Sequence, residues 1–169
     1  VGQSGGRPES ATIEDYTDDV RAVIRSIRDR ADVDRSRIIL LAHGEGGWIG
    51  LQAAAEDDRV SALVLLATPS VNGATLILEQ QDMEFDRLEL SNQDRTEYTS
   101  LQHKIHDAVV GDGNWNGVPN NIRRQADTPW FRSFIEFEPA DTIRQVNQPI
   151  LILHGTLDQH ISSRHANEL

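Results

Sequence analysis

Three short apolar runs in this chain have the length and composition of buried β-strands. Ile38–Ala42 reads IILLA, Val60–Thr68 reads VSALVLLAT, and Pro149–His154 reads PILILH. Continuous apolar runs of this length are typical of parallel sheets, in which helices cover both faces. The pattern therefore predicts three parallel strands that are buried on both sides of the sheet.

Helical periodicity precedes the first of these runs and follows it. Thr12–Ala31 carries one apolar stripe at helical spacing, with Thr12 as the N-cap and acidic residues in the first turn. Trp48–Ala55 is predicted to be a second helix, between the first two strands. A strand, a helix and a strand with short links form a right-handed βαβ unit. The predicted fold class is α/β, with helices flanking a parallel sheet.

A long segment separates the second predicted strand from the third. Ala74–Val110 is predicted to be mainly helical, Gly111–Asn121 to be a loop, and Ile122–Phe137 contains several large aromatic residues. Helices inserted at this place in an α/β sheet usually form a cap over the strand ends. The aromatic side chains would then either line a pocket for an acyl or aromatic group or pack the cap together with the body.

Composition narrows the range of partners. The formal net charge is -11, which argues against nucleic acid or an anionic membrane as a partner, because both bind to basic patches. The chain has no cysteine, which excludes disulfides, thiolate catalysis and cysteine-type zinc sites. No apolar run reaches the length of a transmembrane helix.

The most informative signal lies directly after the first predicted strand. Residues 42–47 read A-H-G-E-G-G and lead from the strand into a helix. A strand, a tight turn and a helix, with small residues around the turn, form the context of a G-x-S-x-G nucleophile elbow. The segment resembles the A/G-H-S-E-G-G elbow of α/β-hydrolases, with Gly44 at the position of the nucleophilic serine.

Other segments resemble the same family in the expected order. Val1–Pro8, VGQSGGRP, is similar to a glycine-rich loop that follows an early strand. Pro149–Asp158, PILILHGTLD, is similar to the strand and turn that carry the acid of the catalytic triad. The resemblance implies a partial α/β-hydrolase fold with an inserted helical cap, as in serine esterases and aminopeptidase-like members, and incomplete at both ends. It implies a core at 1–70, a cap at 71–138 and further core at 139–169.

The resemblance also implies roles for individual residues. In the Ser-His-Asp mechanism a serine attacks the carbonyl carbon, a histidine takes the proton, a carboxylate orients the histidine, and N–H groups hold the oxyanion. Gly44 has no side chain and cannot attack. Asp158 is the implied triad acid, and the backbone N–H of Glu45 is an implied oxyanion donor. The implied histidine follows a later strand, because His160 and His165 come too soon after the acid. Family members cleave carboxylic esters or short peptide and amide bonds, and this chain is expected to be inactive as written.

The expected ligand is a small acyl or ester substrate, with no cofactor and no metal. His103 and His106 have the spacing of metal ligands on a helix, but no third ligand accompanies them. A non-catalytic binding protein, and an acyltransferase or thioesterase on the same fold, remain alternatives. Gly44, Gly46 and Gly50 also form a loose dinucleotide fingerprint, although the next strand lacks the acidic residue that would bind ribose.

Overall fold

The computed structural model describes residues 5–111 and 113–169. Two parts of predicted segments lie outside the described residues. They are residues 1–4, at the start of the glycine-rich segment Val1–Pro8, and Asp112 in the predicted loop. The chain divides into two units. The sheet unit contains Ile13–Val71 and Glu138–Leu169, and the helical unit contains Asn72–Phe137 with the described residues up to Thr12.

The sheet unit is built on three parallel strands in the order β1-β2-β3. In the register of the sheet, His43 pairs with Leu66, and Leu66 pairs with Leu153, so the carboxyl ends of the strands are level. This arrangement confirms the predicted parallel α/β sheet. The strands are β1 (Ile38–His43), β2 (Val60–Leu66) and β3 (Ile150–Leu153).

Helices precede, separate and follow the strands. The predicted helical segment Thr12–Ala31 agrees with the structure. The predicted segment Ala74–Val110 is two helices, each with its own N-cap. The side chain of Asn72 accepts from the N–H of Thr75, and that of Ser91 accepts from the N–H of Asp94. In chain order the helices are α1 (Ile13–Arg28), α2 (Glu45–Glu56), α3 (Gly73–Arg87), α4 (Asn92–Val110), α5 (Asn120–Ala126), α6 (Pro129–Glu136), α7 (Pro139–Ile143) and α8 (His165–Glu168), after a 3₁₀ turn at Pro8–Ser10.

The core of the sheet unit lies on one face of the sheet. Side chains of α1 and α2, such as Ile24 and Leu51, pack there against alternate strand residues. Burying such side chains stabilises the fold by roughly 25 cal/mol for each Å² of apolar surface that is removed from water. The buried members of this core are Ile24, Ile38, Leu51, Ala54, Val60, Leu63 and Leu65.

The opposite face of the sheet is exposed. Leu41 is 69% exposed and Leu151 is 53% exposed, and the register places both in one row with Val64. Ile39 and Leu153 are also exposed. The prediction that the strands are buried on both faces is therefore wrong, because the second face meets solvent instead of a helix. A parallel sheet with one bare face is unusual.

The helical unit has its own apolar core. Its buried members are contributed by α4, α5, α6 and the loop before α5, and Phe131 and Phe134 pack against them. The ring of Trp130 stacks on that of Phe134, with centroids 5.3 Å apart. No helix in the part of the chain that the structure describes is both long enough and apolar enough to cross a membrane.

We expect the bare sheet face to cause self-association. Leu41→Gln combined with Leu151→Gln should raise the protein concentration at which oligomers form by severalfold, because it removes exposed apolar side chains on both sides of Val64. Analytical ultracentrifugation across a concentration series measures this threshold. Leu157→Gln is the matched control, since Leu157 is 89% exposed but lies in the turn after β3. Equal effects of the control and the double substitution would contradict the expectation.

Candidate functional site

A single residue makes the turn between β1 and α2. Gly44 follows His43, the last residue of β1, and precedes Glu45, the first residue of α2. Its φ of 58° and ψ of -129° belong to a region that side-chain-bearing residues rarely adopt. The N–H of Gly44 donates to the carbonyl of Leu66 at 3.0 Å, and its own carbonyl accepts from the N–H of Gly47 at 2.9 Å. The bend is therefore fixed to the end of β2.

Open space surrounds the bend on the side where a side chain would project. If a Cβ is built on Gly44, no heavy atom of the described residues lies within 4 Å of it, apart from those of Gly44 and its two chain neighbours. A side chain at this position would stand clear of the sheet. The geometry is that of a strand-to-helix turn that presents a side chain, although glycine supplies none.

Close packing of α2 against the sheet accounts for the abruptness of the turn. A Cβ built on Gly47 would overlap the side chain of Thr68, which is fully buried just after β2. A Cβ on Gly50 would lie 3.2 Å from that of Ala42. The indole N–H of Trp48 donates to the carbonyl of Pro69 at 2.9 Å. The first two turns of α2 are thus held against the carboxyl ends of β1 and β2.

Glu45, which the family resemblance implies to be an oxyanion donor, is the first residue of α2. The N-terminus of a helix carries a partial positive charge and presents backbone N–H groups, so it favours an anion nearby. The neighbouring His43, at the end of β1, is exposed. The backbone at Glu45 therefore lies at the positive end of the α2 dipole.

Asp158 lies in the turn after β3 and orders that turn. One of its carboxylate oxygens accepts from the backbone N–H groups of His160, at 2.9 Å, and Ile161, at 3.0 Å. Partial burial raises the pKa of Asp158, but the hydrogen bonds from Ile161 and His160 together with the nearby histidines outweigh burial, and the pKa is lowered overall. The group is a carboxylate at neutral pH.

A buried histidine supports the same turn. His154 Nε2 is 2.8 Å from the carbonyl oxygen of Ile161 and 3.6 Å from an Asp158 carboxylate oxygen. Since a carbonyl only accepts, Nε2 carries the proton and donates it to Ile161. His154 therefore closes the turn beside Asp158.

The structure brings the bend and the acid-bearing turn to the same edge of the sheet. Gly44 follows β1, Asp158 follows β3, and β2 lies between these strands. Adjacent strands are about 4.8 Å apart, so the ends of β1 and β3 are separated by roughly 10 Å. The buried histidines of this unit have other partners: His154 bonds to Ile161, and His165 bonds to Ser70.

A serine, a histidine and a glutamate meet at the loop after β2, and no sequence motif indicated this cluster. Ser70 Oγ is 2.7 Å from His165 Nδ1 and 2.7 Å from Glu168 Oε2. In a catalytic triad the histidine lies between the hydroxyl and the carboxylate. Here the hydroxyl lies between the other two groups, and His165 is fully buried. The cluster is therefore a structural connection between this loop and α8.

The histidine pair on α4 does not form a metal site with other residues. His103 is exposed, whereas His106 is buried and lies 2.7 Å from Gln102 Nε2. Burial, and then the charge of His103, lower the pKa of His106. No group of three or more histidine, cysteine or acidic side chains within the described ranges could hold a metal ion.

Comparison with known proteins identifies the fold. The sequence profile described as the alpha/beta hydrolase family matches residues 2–169. No curated protein matches the chain.

Two solved structures are similar over nearly all of this chain. DcsB, in a complex with its substrate analogue, has a TM-score of 0.59 and 22% identity, and the match covers 100% of this chain and 64% of DcsB. Hypothetical protein PA2218 from Pseudomonas aeruginosa has a TM-score of 0.51 and 21% identity, and the match covers 91% of this chain and 56% of that protein. The chain thus spans less than two thirds of either structure.

Gly44→Ser should lower the free energy of unfolding by roughly 1–3 kcal/mol, because a side chain is strained at positive φ. Urea unfolding measures the change. Gly46→Ser is the matched control. Gly46 is the second residue of α2, its φ is not positive, and there is also open space around its Cβ position. Serine is a better helix former than glycine, so the control should be neutral or stabilising. Equal loss in both variants would show that the bend is not strained.

Asp158→Asn should lower stability at neutral pH and have a smaller effect in acid. The folded-state pKa of Asp158 lies below the unfolded value of about 3.9, so its contribution is complete above that value and is lost as pH falls through the folded-state pKa. Urea unfolding at pH 7 and at pH 3 measures the difference. Asp58→Asn, at an exposed position, is the control. A deficit of equal size at both pH values would contradict this account.

Proposed function

Because this chain belongs to the alpha/beta hydrolase family, we propose that it carries the elbow and acid turn of a hydrolase for carboxylic esters or short peptide and amide bonds. The proposal includes the Ser-His-Asp mechanism, with Gly44 at the position of the nucleophile. It also holds that this form is inactive, because glycine has no hydroxyl to attack with.

The observation that carries the proposal is the geometry of Gly44. A positive φ at the single residue between a strand and a helix, with open space beyond it, is the backbone arrangement that exposes a nucleophile in this mechanism. Packing of Gly47 against Thr68 maintains this arrangement even though no side chain uses it. We propose that it was shaped by a catalytic requirement.

The remaining roles follow from position. We propose that the N–H of Glu45 donates to the oxyanion of a tetrahedral intermediate, since it directly follows the nucleophile position at a helix N-terminus. We propose that Asp158, ionised and fixed by two backbone N–H groups, orients the base. The base and the second oxyanion donor would come from further polypeptide, because His154 and His165 have structural partners. The match covers only 64% of one solved structure and 56% of the other, which supports the proposal that further polypeptide supplies these groups.

A second candidate is a binding protein that has kept the pocket of a hydrolase and lost the reaction. The absence of a side chain at Gly44 favours it directly. An acyltransferase or thioesterase would use the same elbow and acid, so the fold does not separate it from an esterase.

Restoring the hydroxyl tests the proposal. In Gly44→Ser, diisopropyl fluorophosphate should form an adduct at position 44 when imidazole is added as the missing base. The hydroxyl oxygen bonds to phosphorus, fluoride leaves, and imidazole takes the proton. Mass spectrometry of the peptide that contains residue 44 measures the adduct, and the chain with Gly44 should give none there.

Gly46→Ser is again the matched control, because it places a hydroxyl two residues further along without the bend. Labelling at position 44 but not at position 46 would support the elbow. Equal labelling of the two variants would contradict it. No labelling at position 44 would reject the hydrolase proposal in favour of the binding protein.

A further inference from the structure

A pocket lies within the helical unit, away from the elbow in sequence. Its volume is about 340 Å³, and its walls come from α3, α4, α5 and α6. Most of the wall is apolar, with Ile77, Ala126, Trp130 and Phe131 among the lining residues, whereas Gln102 and Gln125 supply polar atoms. Pockets for small molecules combine apolar walls with a few placed polar groups, and this volume is at the small end of their range.

Gln102 is the buried polar residue of this pocket, and its other contacts fix its orientation. Its Oε1 accepts from Gln81 Nε2 at 3.1 Å. Its Nε2 lies 2.7 Å from His106 Nε2. An amide nitrogen only donates, so His106 Nε2 is the acceptor of this bond, and burial, which lowers the pKa of His106, favours the neutral imidazole that can accept. The Gln102 oxygen thus faces Gln81, and the Gln102 nitrogen faces His106.

This orientation leaves one hydrogen-bond donor of Gln102 for a ligand. A primary amide nitrogen carries two hydrogens, and the bond to His106 uses one of them. No other hydrogen bond from Nε2 is made to the described residues. Gln102 is 9% exposed and lines the pocket. A buried donor without an acceptor costs free energy that a ligand oxygen can recover.

Aromatic rings form one wall of the same pocket. The centroids of Trp130 and Phe131 are 6.1 Å apart, and the ring of Phe131 also lies 6.4 Å from that of His106. Such a wall offers ring faces and edges to a flat apolar group. The pocket therefore combines one amide donor with a surface suited to an aromatic ring.

We propose that this pocket binds a small aromatic molecule that bears one carbonyl oxygen, with the oxygen accepting from Gln102 and the ring lying against Trp130 and Phe131. The ligand class includes aromatic ketones, amides and esters with one ring and a short substituent. The proposal concerns the helical unit alone. It requires neither the elbow nor hydrolysis, and it stands whether or not the proposed function holds.

Acetophenone and ethylbenzene are the matched probes, since they have similar shapes and differ in the carbonyl oxygen. In NMR titrations of the whole chain, acetophenone should cause saturable shifts of the Gln102 side-chain amide and the Trp130 indole N–H. The indole signal of Trp48, which lies in the other unit, should not shift. Acetophenone should bind about three- to tenfold more tightly than ethylbenzene, as expected for one hydrogen bond. Equal binding of the two probes, or no saturable shift, would overturn the proposal.

Variants locate the ligand in the pocket. Gln102→Leu should abolish the preference for acetophenone, whereas Gln125→Leu, at an exposed glutamine of the same pocket, should keep it. Ala126→Leu should weaken the binding of both probes by filling the cavity, and it keeps both Gln102 and His106 in the chain. Ala140→Leu, at an exposed site on α7, is its control. Unchanged binding in Ala126→Leu would overturn the proposal even if Gln102→Leu failed to fold.

Discussion

The packing of Gly47 against Thr68 is the contact on which the turn between β1 and α2 depends. A side chain at position 47 would occupy the space of the Thr68 side chain, so α2 can approach the sheet only with glycine there. Because α2 starts so close to the strand ends, the chain must turn within a single residue. That residue is Gly44, and its backbone conformation is one that glycine adopts without cost.

The loop after β2 gives this contact its rigidity. Ala67 has a positive φ of 47°, which persists in a non-glycine residue only when its surroundings determine it strongly. Ala67 donates to the carbonyl of Leu153 on β3, Pro69 accepts from Trp48 on α2, and Ser70 bonds to His165 on α8. The loop is thus joined to three elements of the sheet unit. Through Thr68 it holds the start of α2 in place.

The sequence predicted the features that depend on local pattern. Strand-length apolar runs located β1, β2 and β3, and the glycines around Gly44 located the turn, because both signals come from neighbouring residues. The apolar runs themselves did not indicate the exposure of Leu41 and Leu151, since an apolar run does not show whether a second layer covers it. The sequence prediction treated Ala74–Val110 as one mainly helical segment and missed the break between α3 and α4, where Ser91 caps a new helix.

Contacts between distant residues were beyond the sequence pattern. Ser70 and His165 are far apart in the chain, and α8 is a single turn without periodicity. The burial of His106 depends on α6, which supplies Phe131 from another part of the helical unit. Asp158 was identified by resemblance, but its bonds to two backbone N–H groups required the structure. The roles of Gly44, Glu45 and Asp158 in catalysis remain proposals.

The central claim is that packing around α2, and not the identity of the residue at position 44, sets the bend. A crystal structure of the Gly44→Ser variant tests it most directly through the φ angle at that position. We predict that φ remains positive, near the 58° of Gly44, with the hydroxyl in the open space beyond the turn. A negative φ at position 44, with α2 moved away from Thr68, would show that glycine alone permits the bend and would contradict the account.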